Sequence, residues 1–380
     1  MNTLTAQLER FRVTSSAPLS GGRVLAVDVL RGFDMIWIIG FKKVVKGLDE
    51  ALNIPATNWL FAQLDHAEWY GFTFYDIIMP LFLFLVGISM VFSIRKRLSE
   101  DSSKISLWKH ILIRFILLWI LGMVVQGKLL TYDIDQIKLF SNTLQAIAAG
   151  YLIASVFILY LPVVMQIAAT AGLMLVYWGI FSWVSVPGFG AGLYTPDGNI
   201  AIYLDKLILG PFQDGTTYTW ILSSLNFGAT TMLGVFTGYL VRSGMRPTDK
   251  FIALTSAGTL LILLSYLWMP WHPLVKHLWT GSFVLFSGGI CILMLAGLYF
   301  IIDILNVKRW TLFFVVVGSN AIAAYVSASI FDYRLIAKVF VNGLEQFTGA
   351  WQPFTVALGG FMVLYALLLY LYKQKIFIKI

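Results

Sequence analysis

The stretch LDHAEWYGFTFYD, residues 64–76, gathers Asp65, His66, Glu68 and Asp76 among five aromatic side chains, Trp69 included. An imidazole with one nitrogen held by a carboxylate is the usual arrangement of a general base or a nucleophile. It also changes charge near neutral pH. Asp76 and Asp65 are the carboxylates placed to orient His66. The apolar run IIMPLFLFLVGISMVFSI follows at once, and a carboxylate in its first turn also suits the positive end of a helix dipole. A second set lies in LAVDVLRGFDMIWII, where Asp28, Arg31 and Asp34 stand at i, i+3 and i+6. Neighbouring members can meet along one helical stripe. Each charge costs about 2.5–3.5 kcal/mol at the centre of a membrane helix, so pairing, water or function must keep it there. Two readings stand: a self-neutralising Asp–Arg–Asp clasp, or the polar wall of an internal cavity with Arg31 free to meet a ligand's negative charge.

Other signals are thinner. WMPWHPLVKHLWTGSF carries His272, Lys276 and His277 between apolar runs. The two histidines lack the i, i+4 spacing of a helical metal pair, so no metal is expected. VGSNAIAAY sets Ser319 and Asn320 inside a span, and SNTLQAIAAGY does the same with Asn142 and Gln145. Such residues glue helices together or line a cavity. HExxH, GxSxG and Walker sequences are absent, which argues against zinc proteases, α/β-hydrolases and ATP-driven pumps.

The elements that position these groups follow from composition. The 380 residues are 59% hydrophobic and 12% charged, with mean hydropathy +0.81. Soluble domains carry roughly a quarter charged residues. The sequence therefore predicts an all-α, polytopic transmembrane bundle. A span needs about 20 apolar residues, and about ten runs qualify: 24–46, 73–94, 107–127, 143–160, 163–184, 219–241, 251–269, 279–302, 311–331 and 353–372. Nine or eleven remain open. Sixteen of the 27 Lys and Arg residues fall in the segments that are cytoplasmic if both termini are inside, and nine on the other side. That is the positive-inside pattern, and it explains the +8 charge without nucleic acid.

Residues 1–22 are polar and read as a short cytoplasmic tail rather than a cleavable leader. Residues 23–380 read as a single transmembrane domain. Its longest connection, about 185–218, lies on the outer side, where IAIYLDKLIL has helical spacing and an apolar face. A long ordered loop over one face is often a lid. Cys291 is the only cysteine, which excludes an intramolecular disulfide and Cys-based zinc chemistry.

RVLAVDVLRGFDMIWIIG followed by LDHAEWYGFTFYDIIMPLFLFLVGISMVFSI resembles the heparan-α-glucosaminide N-acetyltransferase-like family of membrane acyltransferases, most closely its bacterial DUF5009-type members. TLQAIAAGYLIAS, SSLNFGATTMLGVFTGYLVRSG, KHLWTGSFVLFSGG and VGSNAIAAYVSAS extend the likeness to about residue 330. The resemblance implies His66 as the active-site residue, with Asp28 and Arg31 in the family's D-x-x-R-G signature and Asp76 before its FP-like pair, here MP. It implies acetyl-CoA as the co-substrate, with no metal, and a glycan or sugar acceptor on the far side of the bilayer. Two departures stand out. Lys42 occupies the position of a family Asn, and DGTTYT replaces a DPEG segment.

Catalytic roles are thus expected for His66, Asp76 and Asp28. Binding roles are expected for Arg31, Asp34, Asp65, Glu68, Trp69, Lys276 and Asn320. The expected location is a bacterial inner (cytoplasmic) membrane, and a homodimer is compatible with the sequence. Two rival readings remain: a secondary transporter using the intramembrane Asp, Arg and His residues, and a non-catalytic scaffold. A cavity reaching both His66 and Asp28 favours transfer, a midplane site between symmetric halves favours transport, and tight packing around His66 favours the scaffold.

Overall fold

Apolar stretches of this length have one stable form in hydrocarbon, the helix that satisfies its own N–H and C=O groups. The computed structural model describes residues 24–99 and 104–378; the expected tail at 1–22 lies outside the described residues. There is no strand among the described residues, only isolated bridges at Tyr70–Val275 and Val186–Gly190.

The helices in chain order are α1 (Leu25–Ile36), α2 (Lys42–Leu52), α3 (Pro55–Gln63), α4 (Ile78–Ser99), α5 (Lys104–Val125), α6 (Thr143–Tyr160) and α7 (Val163–Trp183). They continue as α8 (Ile200–Leu209), α9 (Ser224–Val241), α10 (Pro247–Trp268), α11 (Gly281–Tyr299), α12 (Thr311–Ser319), α13 (Ala321–Ile330), α14 (Tyr333–Val341), α15 (Glu345–Thr348) and α16 (Gln352–Lys373). All ten expected spans fall on helices, but among the described residues seven helices are long and apolar enough to cross a membrane, or eight if α12 and α13 count as one bent span. The expected first and sixth spans are the two outside that count. The first carries Asp28, Arg31 and Asp34 and is interrupted between α1 and α2 by a π-helical turn at Trp37–Phe41, with Gly40 at φ +146°. The sixth, α9, is enclosed by α4, α6, α7 and α11. Protein rather than lipid surrounds it, so Asn226, Thr230, Thr231 and Thr237 are tolerated there. The three threonines return their hydroxyls to carbonyls of their own helix.

Glycines bring the central helices close. A Cβ at Gly87 would sit 1.9 Å from the Thr231 carbonyl oxygen, and one at Gly234 would sit 1.9 Å from that of Phe84. Only glycine permits this α4–α9 approach, a small-residue seam typical of membrane bundles. It fixes the wall between the two ends of the protein where chemistry-bearing residues collect.

The long connection is ordered. Its IAIYLDKLIL segment forms α8, capped by the Asn199 side chain, which accepts from the Ile202 N–H at 2.8 Å. Asp205 on α8 accepts the backbone N–H groups of Trp220 and Ile221 at 2.7 and 2.9 Å. Burial outweighs those two bonds and raises this carboxyl to about 7. The contacts tie the loop to the start of α9 and to Trp220, which lines the same cavity as His66.

Candidate active site

Thr73 and Asp76 cap the short 3-10 turn Phe74–Ile77 that leads into α4. This local structure explains why a carboxylate can be fully buried there. One Asp76 oxygen accepts the backbone N–H groups of Thr73 and Ala67, at 3.0 and 3.3 Å. The other lies 2.8 Å from His66 Nδ1 and 3.1 Å from Lys276 Nζ. Lys276 Nζ is in turn 2.9 Å from the same His66 nitrogen. A buried charge needs a partner and satisfied lone pairs, and Asp76 has both. The loop carrying Lys276 is docked by the Tyr70–Val275 bridge and by the Gly71 N–H donating to the Leu274 carbonyl at 3.2 Å. Residues 210 positions apart thereby meet.

Lys276 is 5% exposed. Burial pulls its ammonium down to about 8, against the opposing pull of Asp76. His277 beside it stacks on Tyr218, ring centroids 4.1 Å apart, and burial with the neighbouring Lys276 charge lowers it to about 4. The His66 side chain is 38% exposed, and its Nε2 has no hydrogen-bond partner among the described residues. The ring lines a cavity of about 360 Å³ together with Tyr75, Asp214, Tyr218, Trp220 and Lys276.

A second cavity, of about 690 Å³, lies among α1, α4, α5, α6 and the α12–α13 bend. Its wall includes Asp28, Arg31, Ser89, His110 and Arg114. Arg31 donates to Asp28 at 3.1 Å and to Ser89 at 2.8 Å. Arg114 lies with its guanidinium carbon 4.6 Å from the Tyr151 ring centroid, and its buried Nε–H has no partner among the described residues. Thr143 and Tyr325 line both cavities. Their positions follow from the turn before α6. Asn142 caps that helix through the Leu144 N–H and donates to Gln126 at 2.6 Å and to the Tyr325 hydroxyl at 3.1 Å. Gln145 closes the same turn through the Leu139 carbonyl.

The site residues expected from sequence therefore separate. His66, Asp76 and Lys276 form one cluster; Asp28 and Arg31 line the other cavity. Asp34 joins neither. It is fully buried, and neither carboxylate oxygen finds a hydrogen-bond partner among the described residues, so the three-member clasp is in fact the Asp28–Arg31 pair. Asp65 does not orient the ring: it is exposed, accepts the His66 backbone N–H at 3.0 Å and pairs with Lys42 at 3.4 Å. Trp69 donates its indole N–H to the Tyr194 carbonyl at 2.6 Å and supports the loop rather than lining the cavity. Glu68 is exposed. Asn320 lies outside both cavity walls because its amide is engaged by the chain near residue 377. It donates to the Ile376 carbonyl and accepts the Ile378 N–H, at 3.0 and 2.8 Å. Arg114, Tyr325 and Asp214 were missed as site residues. Arg114 carried a sequence signal as a charge within a span, and Asp214 as the first residue of DGTTYT; Tyr325 carried none.

Fold and site together define a polytopic helical membrane protein with a histidine–carboxylate–lysine cluster on the wall of one of two neighbouring cavities. Residues 23–190 match the family described as heparan-alpha-glucosaminide N-acetyltransferase, catalytic. The heparan-alpha-glucosaminide N-acetyltransferase of Homo sapiens is 25% identical over 416 residues, covering 94% of this chain and 60% of that protein. That of Mus musculus is 22% identical over 370 residues, covering 82% and 54%. The chain is thus similar to heparan-alpha-glucosaminide N-acetyltransferases, and it spans somewhat over half the length of these curated relatives.

Proposed function

We propose that the protein is a transmembrane acyltransferase that moves an acetyl group from acetyl-CoA to a sugar or glycan acceptor across the bilayer of a bacterial inner membrane. The observation that carries this reading is a pair of cavities that share Thr143 and Tyr325 in their walls, one lined by Arg31 and Arg114 and the other by His66. A CoA-type donor is a polyanion with a long, thin arm ending in a thioester. Guanidinium groups suit its phosphates, and the partnerless Arg114 Nε–H supports an anionic ligand there. On the orientation given by the basic loops, the Arg31 chamber opens toward the cytoplasm and the His66 chamber toward the far side.

Nε2 of His66, as a free base, accepts a proton from the acceptor amine or hydroxyl while that group attacks the thioester carbonyl. The C–S bond breaks, the CoA thiolate leaves, and the proton ends on sulfur. The products are the acylated acceptor and CoA. A relay in which His66 first takes the acyl group uses the same nitrogen. Asp76 holds the ring and balances the charge that forms on it. Tyr218, Trp220 and Tyr75 provide flat apolar faces of the kind that pack on sugar rings.

The test uses purified protein, labelled acetyl-CoA and panels of amino sugars and glycans. Label transfer that is lost in folded His66→Ala supports the reading. Undiminished transfer in that variant removes His66 from it. A transporter would instead carry substrate without forming acylated product.

A further inference from the structure

We propose that Lys276 is the positioning residue that selects the tautomer of His66, so that the ring presents a basic Nε2 to the cavity only when Lys276 is uncharged. The inference rests on the acyl-transfer reading of His66 and adds a control element to it.

The geometry poses a proton-counting problem. His66 Nδ1 has two claimants, Asp76 Oδ1 at 2.8 Å and Lys276 Nζ at 2.9 Å, and these lie 3.1 Å from each other. An ammonium has three donors and no acceptor. In the proposed resting state charged Lys276 donates to both Nδ1 and the carboxylate, and the ring proton sits on Nε2. In that state the nitrogen facing the cavity is a donor and cannot take a proton or an acyl group. Neutral Lys276 releases Nδ1. The Nδ1–H then donates to Asp76 and leaves the Nε2 lone pair open, as a general base requires. The change from the first state to the second is the loss of one proton from the cluster to solvent.

The surroundings allow this exchange near physiological pH. Lys276 is almost fully buried in a tight turn, with the Trp279 N–H on its own carbonyl at 2.9 Å and Trp279 at φ +52°. Burial lowers its ammonium to about 8, Asp76 opposes this, and Lys42 on α2 adds repulsion. Lys42 is itself paired with Asp65. His277, on the same loop, is neutral at that pH. Asp214 and the tyrosines Tyr75 and Tyr218 complete the cavity wall. Among the described residues Asp76 is the acidic group bonded to Lys276.

Two readouts test the inference. In the first, kcat/KM for acyl transfer is followed from pH 5.5 to 9.5. The wild type is expected to rise with an apparent pKa near 8. In Lys276→Met the rise should move down by a unit or more. Lys276→Arg, which cannot lose its charge, should stay at least tenfold below wild type across the range. A profile that is only scaled by Lys276→Met, or restored by Lys276→Arg, overturns the proposal. The second readout needs no activity: 15N NMR of selectively labelled histidine in the folded protein. At pH 7 wild-type His66 should carry its proton on Nε2 and Lys276→Met on Nδ1. The same tautomer in both would overturn the proposal. Because the tautomer is read without turnover, this failure is distinct from failure of the acyltransferase reading, which the His66→Ala transfer assay decides.

Discussion

His66 and His272 sit near the same end of the bundle, each among aromatic rings, and each uses Nδ1 in a hydrogen bond. They differ at the other nitrogen. His272 Nδ1 meets the Tyr194 hydroxyl at 2.8 Å, and its Nε2 accepts the Gly281 N–H at 2.7 Å, where α11 begins. With no exposure at all, burial holds His272 down at about 3. His66 has its inner nitrogen surrounded by Asp76 and Lys276 while the outer one faces a cavity. A histidine with both nitrogens spent inside the fold is a strut, and one with a nitrogen in reserve can do chemistry. Sequence context alone, two histidines among tryptophans and prolines, does not separate them.

The contrast can be broken by substitution. The largest expected effect is on rate: His66→Ala should lower kcat by about 10²–10⁴-fold, the usual contribution of a positioned acid–base group. His272→Ala should leave kcat per folded molecule within about twofold, and equal losses in both would erase the distinction. Next, Arg114→Gln should raise the KM for acetyl-CoA by about 10-fold or more, the scale of one hydrogen bond to a charged group, while the acceptor KM stays put. An unchanged donor KM would argue against the larger cavity as the donor site.

His272 should instead show itself in stability. Removing the ring leaves the Gly281 N–H and the Tyr194 hydroxyl without their partner, at about 1–3 kcal/mol for a buried unsatisfied group. The melting temperature in detergent should fall accordingly. The pH dependence has a definite sign. A neutral buried histidine binds its proton less readily folded than unfolded, so the unfolded state gains protons first as pH falls below about 6.5. Stability should therefore decline from pH 6.5 downward, toward the depressed values near 4 and 3 for His277 and His272. His272→Gln should flatten that decline, and an unchanged slope would sink the assignment.

The helices were legible because hydrocarbon leaves the backbone little choice, and each expected span lies on one. Span number was less legible. A helix enclosed by protein, like α9, can be rich in Thr and Gly and still belong to the interior. At the site, His66 and Asp76 were readable as a pair because the nine intervening residues fold locally into one capped turn. Choosing Asp76 over Asp65 as the ring's partner needed that turn's geometry. Lys276 was recognisable as a polar residue in an aromatic loop, but its contact with His66 depends on how two distant loops dock. Asp28 and Asp34 differ by six positions and looked equivalent; their separation into cavity wall and closed interior is a matter of tertiary packing.

The helix bearing Tyr325 is short, ten residues, and meets its predecessor at a 73° bend whose vertex is Asn320. That vertex is moored to the strand of chain at Ile376 and Ile378. Tyr325, which lines both cavities, is thus carried by a small rod on an anchored pivot. Loosening the mooring with Asn320→Ala should let water reach the thioester, and acetyl-CoA hydrolysis without acceptor would register the leak. Hydrolysis at the wild-type level would mean the junction is held by other contacts.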